Sequence, residues 1–104
     1  MLSKRDEYLM LISSITGIPS DDIMGRCRTR DISDARHLLM WALTRLCGYS
    51  TTQVGLMVHR DHASVVHSKN FIEFLPDFAP LRLHGYKKTL LQTYEARRKE
   101  AGYE

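Results

Sequence analysis

With 104 residues and a mass of 12.0 kDa, the chain has room for one small domain, which excludes a multidomain enzyme or a nucleotide-driven motor within it. Hydrophobic residues make up 43% and charged residues 26%, a balance that argues against wholesale disorder. The 15 Lys+Arg against 12 Asp+Glu leave a net charge of +3, which permits an anionic partner without demanding one. Cys27 and Cys47 stand 20 residues apart with no CxxC motif. They read as incidental thiols of a reduced, cytoplasmic protein. Near the N-terminus, only the short apolar run at 8–12 interrupts charged residues, too little for a secretory signal or a membrane helix.

Helical spacing of apolar residues recurs along nearly the whole chain. Tyr8, Leu9, Ile12 and Ile15 form a stripe that ends at Gly17-Ile18-Pro19, which predicts a first helix over about 4–16. Ser20 is expected to cap a short helical turn carrying Ile23 and Met24. Arg26-Cys27-Arg28-Thr29-Arg30 breaks the period and reads as an exposed basic loop. Ser33 is expected to restart the helix, with Leu38, Leu39, Ala42, Leu43 and Leu46 facing the core and Gly48 as the stop. Ser50 followed by Gln53 matches a capping box for a short helix ending near 57–58. Asp61 is placed to cap the next helix, over 61–74, which stops before Pro76. A last helix is expected over about 83–101. Trp41 and the methionines at 10, 24, 40 and 57 are expected in the core.

No segment alternates apolar and polar residues for long enough to suggest a strand, so the chain reads as an all-α helical bundle. Its tandem short helices, 50–58 and 61–74, have the outline of a helix-turn-helix. The run Arg60-Asp61-His62-Ala63-Ser64-Val65-Val66-His67 crowds small and polar residues into the first turn of the second helix. A helix entering a major groove needs such side chains, because bulky apolar groups there block approach to base edges. Asp61 can accept from a cytosine amino group, His62 can donate to guanine, Ala63 suits a thymine methyl, and Ser64 can reach a base or a phosphate. A plain capped helix start, with Asp61 as cap and Ser64 solvated, accounts for the same residues.

This run resembles the signature of the C-terminal DNA-binding domain of the bacterial replication initiator DnaA. The similarity extends upstream through Asp22-Ile23-Met24, the basic segment 26–30, Ala35-Arg36-His37, Cys47-Gly48-Tyr49-Ser50 and Val54-Gly55. It implies a Trp-repressor-type helical bundle that binds a short asymmetric box of double-stranded DNA. It implies that Asp61, His62, Ala63 and Ser64 read base edges and that Arg28 enters the adjacent minor groove. Arg30, Arg36 and Lys69 would then meet phosphates, and Ser50, Arg60 and His67 complete the expected DNA-binding set. Replication-origin binding and replication proteins as further partners follow from the same resemblance.

Four departures stand out. Ala63 replaces a threonine, Asp34 lies where a basic residue is common, His59 stands where glycine is usual, and the link from Gly55 to Arg60 is shorter. The sequence holds no GxxxxGK[ST], and hence no nucleotide-dependent assembly module. His59, His62 and His67 lack the nearby cysteines of a zinc site. Ser64 and His67 have no acid or oxyanion donor beside them, so neither catalysis nor a cofactor is expected. Lys87-Lys88 and Arg97-Arg98-Lys99 read as solvated helix faces. A protein-interaction module that docks a partner on the last helix is the rival reading.

Overall fold

The computed structural model describes residues 3–26 and 28–102; Cys27, within the basic segment, lies outside the described residues. Among the described residues the elements are all helical. Helix α1 spans Lys4–Thr16, α2 Ser20–Met24, α3 Arg30–Trp41, α4 Thr51–Val58, α5 His62–Glu73 and α6 Leu81–Glu100. No helix among them is long and apolar enough to cross a membrane.

Local chemistry sets the helix ends. Ser3 accepts from the Asp6 N–H, and Asp6 and Glu7 place negative charge at the positive end of α1. Gly17 closes that helix at φ 76°, a left-handed conformation that favours glycine. Helix α2 starts one residue earlier than expected. The Asp22 and Ile23 N–H groups bond back to the Pro19 carbonyl at 3.0 and 3.2 Å, so Pro19 takes the capping position and Ser20 is helical. Helix α3 also starts early, at Arg30 rather than Ser33, because the Ser33 N–H reaches the Thr29 carbonyl at 2.9 Å. Arg30 therefore belongs to a helix and not to the loop. Helix α6 begins at Leu81 rather than at 83, its first turn closed on the Pro80 carbonyl by the Leu83 N–H at 2.9 Å.

Helix α3 continues into a π-helical turn at Ala42–Leu46, closed by the Cys47 N–H on the Ala42 carbonyl at 3.1 Å. Thr44 Oγ1 donates towards the carbonyls of Met40 and Trp41 at 3.0 Å, the kind of side-chain intrusion that loosens a helical ladder. Gly48, at φ 80°, then reverses the chain as expected.

The core gathers Ile12 of α1, Ile23 of α2, Leu39 of α3, Val58 of α4, Val65 and Ile72 of α5, and Leu83 and Leu90 of α6. Each fully buried aliphatic side chain contributes about 1.5–3 kcal/mol of transfer free energy. Trp41 and Met40 are buried with them, and Met24 and Met57 pack partly against them. Met10 is the exception, 55% exposed. Its neighbours Leu9 and Ile12 turn inward, and the helical period carries position 10 to the outer face. Cys47 is half-buried, and its burial pushes the thiol pKa up.

Candidate nucleic-acid interface

Helices α4 and α5 form the helix-turn-helix, and three local devices fix their angle. Ser50 Oγ accepts from the Gln53 N–H at 3.1 Å and Gln53 Oε1 accepts from the Ser50 N–H at 2.9 Å, which completes the expected capping box. His59 ends α4 at φ 58°, a left-handed residue other than glycine that lets the chain turn within three residues. The turn then folds back onto Gly55. The Arg60 N–H donates to the Gly55 carbonyl at 3.0 Å, and a Cβ at position 55 would lie 2.7 Å from the Arg60 carbonyl oxygen. Only glycine allows that approach.

Asp61 caps α5 as expected, its carboxylate accepting from the Ser64 N–H at 2.8 Å. The Ser64 hydrogen bonds hold the Asp61 carboxyl below the usual carboxylate range. Asp61, His62, Ala63 and Ser64 are all exposed on this first turn. The His62 Nδ1 lies 3.2 Å from Thr51 Oγ1, which steadies the ring at the junction of α4 and α5. His67, one turn farther along, is exposed and stacks on Phe71 at 6.4 Å between ring centroids.

Helix α5 is seated on α3 by a polar contact within the apolar packing. His37 Nδ1 and the buried Ser68 Oγ are 2.6 Å apart. Burial is the chief cause that lowers the His37 pKa to about 4, so its ring is neutral at physiological pH. Neither residue belongs to the expected set. A serine in the second turn of α5 looks like a solvent position until the partner on α3 is known.

Three adjoining clefts run between the N-terminal part of α3, the basic segment and the start of α5. The first, about 390 Å³, holds Arg36, Arg60, Ala63, Ser64 and His67 beside His37. The second, about 370 Å³, brings Arg28, Arg30 and Asp34 to His67 and Phe71. The third, about 350 Å³, gathers Arg26, Arg28, Arg36 and Arg60 around Asp61 and Ser64. Five arginines from separate parts of the chain thus border one face. Arg26 and His59 join the expected residues there, and Arg26 was visible as part of the alternating arginine run.

Three expected residues lie outside these clefts. Ser50 is exposed but engaged in its capping box, His62 is exposed beside Thr51, and Lys69 is half-buried farther along α5. Two of the arginines also brace the fold. Arg36 donates from Nε to the Ile23 carbonyl at 2.8 Å and from Nη2 to the Asp22 carbonyl at 3.4 Å, tying α2 to α3. Arg60 donates to the carbonyls of Val58 and His59 from Nη1, and to the Gly25 carbonyl from Nη2. It thereby joins the turn of the helix-turn-helix to the start of the basic segment.

The comparisons with known proteins cover the same elements. Residues 8–72 match the family described as bacterial DnaA protein helix-turn-helix. The chain is similar to the chromosomal replication initiator protein DnaA of Thermosipho melanesiensis, 31% identical over 88 residues that cover 85% of this chain and 20% of that protein. It is also similar to the DnaA of Kosmotoga olearia, 29% identical over 72 residues, 69% of this chain and 16% of that protein. The chain therefore spans about a fifth or less of those initiators. Because the matched region runs from α1 to the end of α5 and takes in every cleft-lining element, the chain belongs to the bacterial DnaA helix-turn-helix family.

Proposed function

We propose that the chain is a sequence-specific double-stranded DNA-binding domain, with α5 in the major groove and the basic segment 26–30 at the adjacent minor groove or backbone. The observation that carries this reading is the exposed, small and polar first turn of α5, set beside a face bordered by Arg26, Arg28, Arg30, Arg36 and Arg60. Side chains on that turn can reach base edges while the helix backbone stays at groove depth. Arginines on either side can neutralise phosphates and fix the register, and Arg28 suits a narrow A·T-rich minor groove. In this reading Asp61, His62, Ala63 and Ser64 discriminate between bases. Arg30, Arg36, Lys69, Ser50, Arg60 and His67 contact the backbone or position those that do.

The name of the relatives, chromosomal replication initiator, supports a replication role, and the target in this reading is a short asymmetric box. Residues 1–104 act as one helix-turn-helix domain with α6 as an added element, working in the cytoplasm and without a reaction or cofactor of its own. Replication proteins are a second class of partner.

The test is selection of bound sequences from a random duplex library, followed by titration of variants. A single box should emerge. Binding should weaken with salt at a log–log slope of about −0.9 per phosphate contact. Asp61→Asn keeps the cap but turns a pure acceptor into a group that also donates. With His62→Ala, it should reduce preference for the box over random duplex about ten-fold, as expected for a base contact worth roughly 1–3 kcal/mol. Affinity indifferent to salt would overturn the reading and favour docking of a protein on α6. Folded variants with wild-type preference would remove α5 as the reading element.

A further inference from the structure

One carboxylate is embedded in the basic face. Asp34, in the second turn of α3, is 7% exposed, and its Oδ2 is buried without a hydrogen-bond partner among the described residues. Buried acceptors ordinarily have a donor. The cationic neighbours do not supply one. Arg30 stands one turn earlier on the same helix, and the Arg82 guanidinium of α6 is paired with the exposed Asp31. Both cations act on Asp34 only through their fields, while desolvation, the larger effect, raises its pKa. Arg28 and Arg30, with His67 and Phe71 of α5, complete the cleft that Asp34 lines.

The backbone of a DNA strand offers this cleft negative charge and acceptor oxygens, and deoxyribose brings no 2′-hydroxyl donor. A carboxylate under the cleft therefore gains no hydrogen bond from a bound strand. Its charge opposes the phosphates that Arg28 and Arg30 attract. Because Asp34 is buried, water and salt screen that repulsion less than they screen an exposed carboxylate such as Asp31.

We propose that Asp34 sets the affinity of the interface, its buried carboxylate, with Oδ2 unpartnered among the described residues, weakening the binding of every duplex. The inference rests on the DNA-binding reading above. No base edge is involved, so Asp34 lowers affinity without changing which sequence is preferred.

The experiment titrates full-chain wild type, Asp34→Asn, Asp34→Ala and Asp31→Asn with the selected duplex and with random duplex over a range of salt. Circular dichroism melts verify folding. Both Asp34 variants should bind about three- to ten-fold tighter, to selected and random duplex alike, with the gain persisting across the salt range. Asp31→Asn should tighten binding much less, since Asp31 is solvated and paired with Arg82. If Asp34→Asn does not fold, Asp34→Ala carries the comparison, because it removes the charge and leaves no new polar group to satisfy. Wild-type or weaker affinity in a folded Asp34 variant, while wild type binds the selected duplex, overturns the proposal and leaves the DNA-binding reading intact. Equal tightening by Asp31→Asn also overturns it, since net charge would then explain the effect. Absence of duplex binding by wild type and variants alike would instead refute the DNA-binding reading, and this proposal with it.

Discussion

Alanine at Gly55 and at Gly85 should act in opposite directions, although both glycines are helical. A Cβ at position 55 lies 2.7 Å from the Arg60 carbonyl oxygen, whereas one at position 85 has no heavy atom within 4 Å. The oxygen facing Gly55 is backbone and is held in place. The Arg60 N–H is bonded to the Gly55 carbonyl, and the Arg60 guanidinium grips the Val58, His59 and Gly25 carbonyls. Forcing extra volume into such a site costs about 1–3 kcal/mol. The helix preference for alanine over glycine returns up to about 1 kcal/mol. Since the clash is with anchored backbone, the upper part of the cost range applies, and Gly55→Ala should lose about 1–2 kcal/mol net. Gly85→Ala keeps only the gain, about 0.5–1 kcal/mol. In a domain of this size, each kcal/mol moves the melting midpoint by roughly 4–8 °C. Urea unfolding followed by circular dichroism measures both, with unchanged m-values confirming that the comparison is two-state. Duplex affinity should fall in Gly55→Ala alone, because the displaced turn carries α5 with it. A Gly55→Ala protein as stable as wild type, with unaltered binding, would refute the close approach as the device that sets the helix-turn-helix angle.

The remaining predictions concern protonation and the arginines. Burial lowers the His37 pKa to about 4, below its unfolded value of about 6.5. The unfolded chain therefore takes up a proton first as pH falls. The stability that the neutral ring contributes is complete above about pH 6.5 and is lost progressively towards pH 4, at up to about 1 kcal/mol per pH unit once the part of the ring open to water is discounted. His37→Gln, compared with wild type by urea unfolding at pH 7 and 5, should flatten this loss; an equally steep loss in the variant would assign it to other groups. Arg28→Ala should weaken binding and relax preference at an A·T-rich flank. Arg36→Ala should weaken all sequences about equally and also destabilise the fold by about 1–2 kcal/mol, because the Ile23 carbonyl loses the Arg36 donor and the Asp22 carbonyl is left with the Gly25 N–H alone. Titration of both variants with selected and random duplex separates the two roles, and an identical uniform loss would refute minor-groove reading by Arg28.

The sequence by itself determined the all-α class, the tandem short helices and the caps at Ser50 and Asp61, because helical periodicity and capping depend on residues three or four apart. It also marked the small, polar first turn of α5, whose reading needs only the order of side chains along one helix. Helix starts were less legible. At Pro19, Thr29 and Pro80 the first turn closes on a backbone carbonyl, and no side-chain signal announces that bond. Only the tertiary structure decided what the arginines do. Arg28, Arg36 and Arg60 come from separate segments, yet they border one cleft, while Arg36 and Arg60 also satisfy carbonyls 13 and 35 residues away in sequence. The same holds for His37 against Ser68, and for the burial of Asp34 among cations. Desolvation and long-range hydrogen bonding depend on which helices meet, and that is fixed by packing the whole bundle rather than by any local pattern.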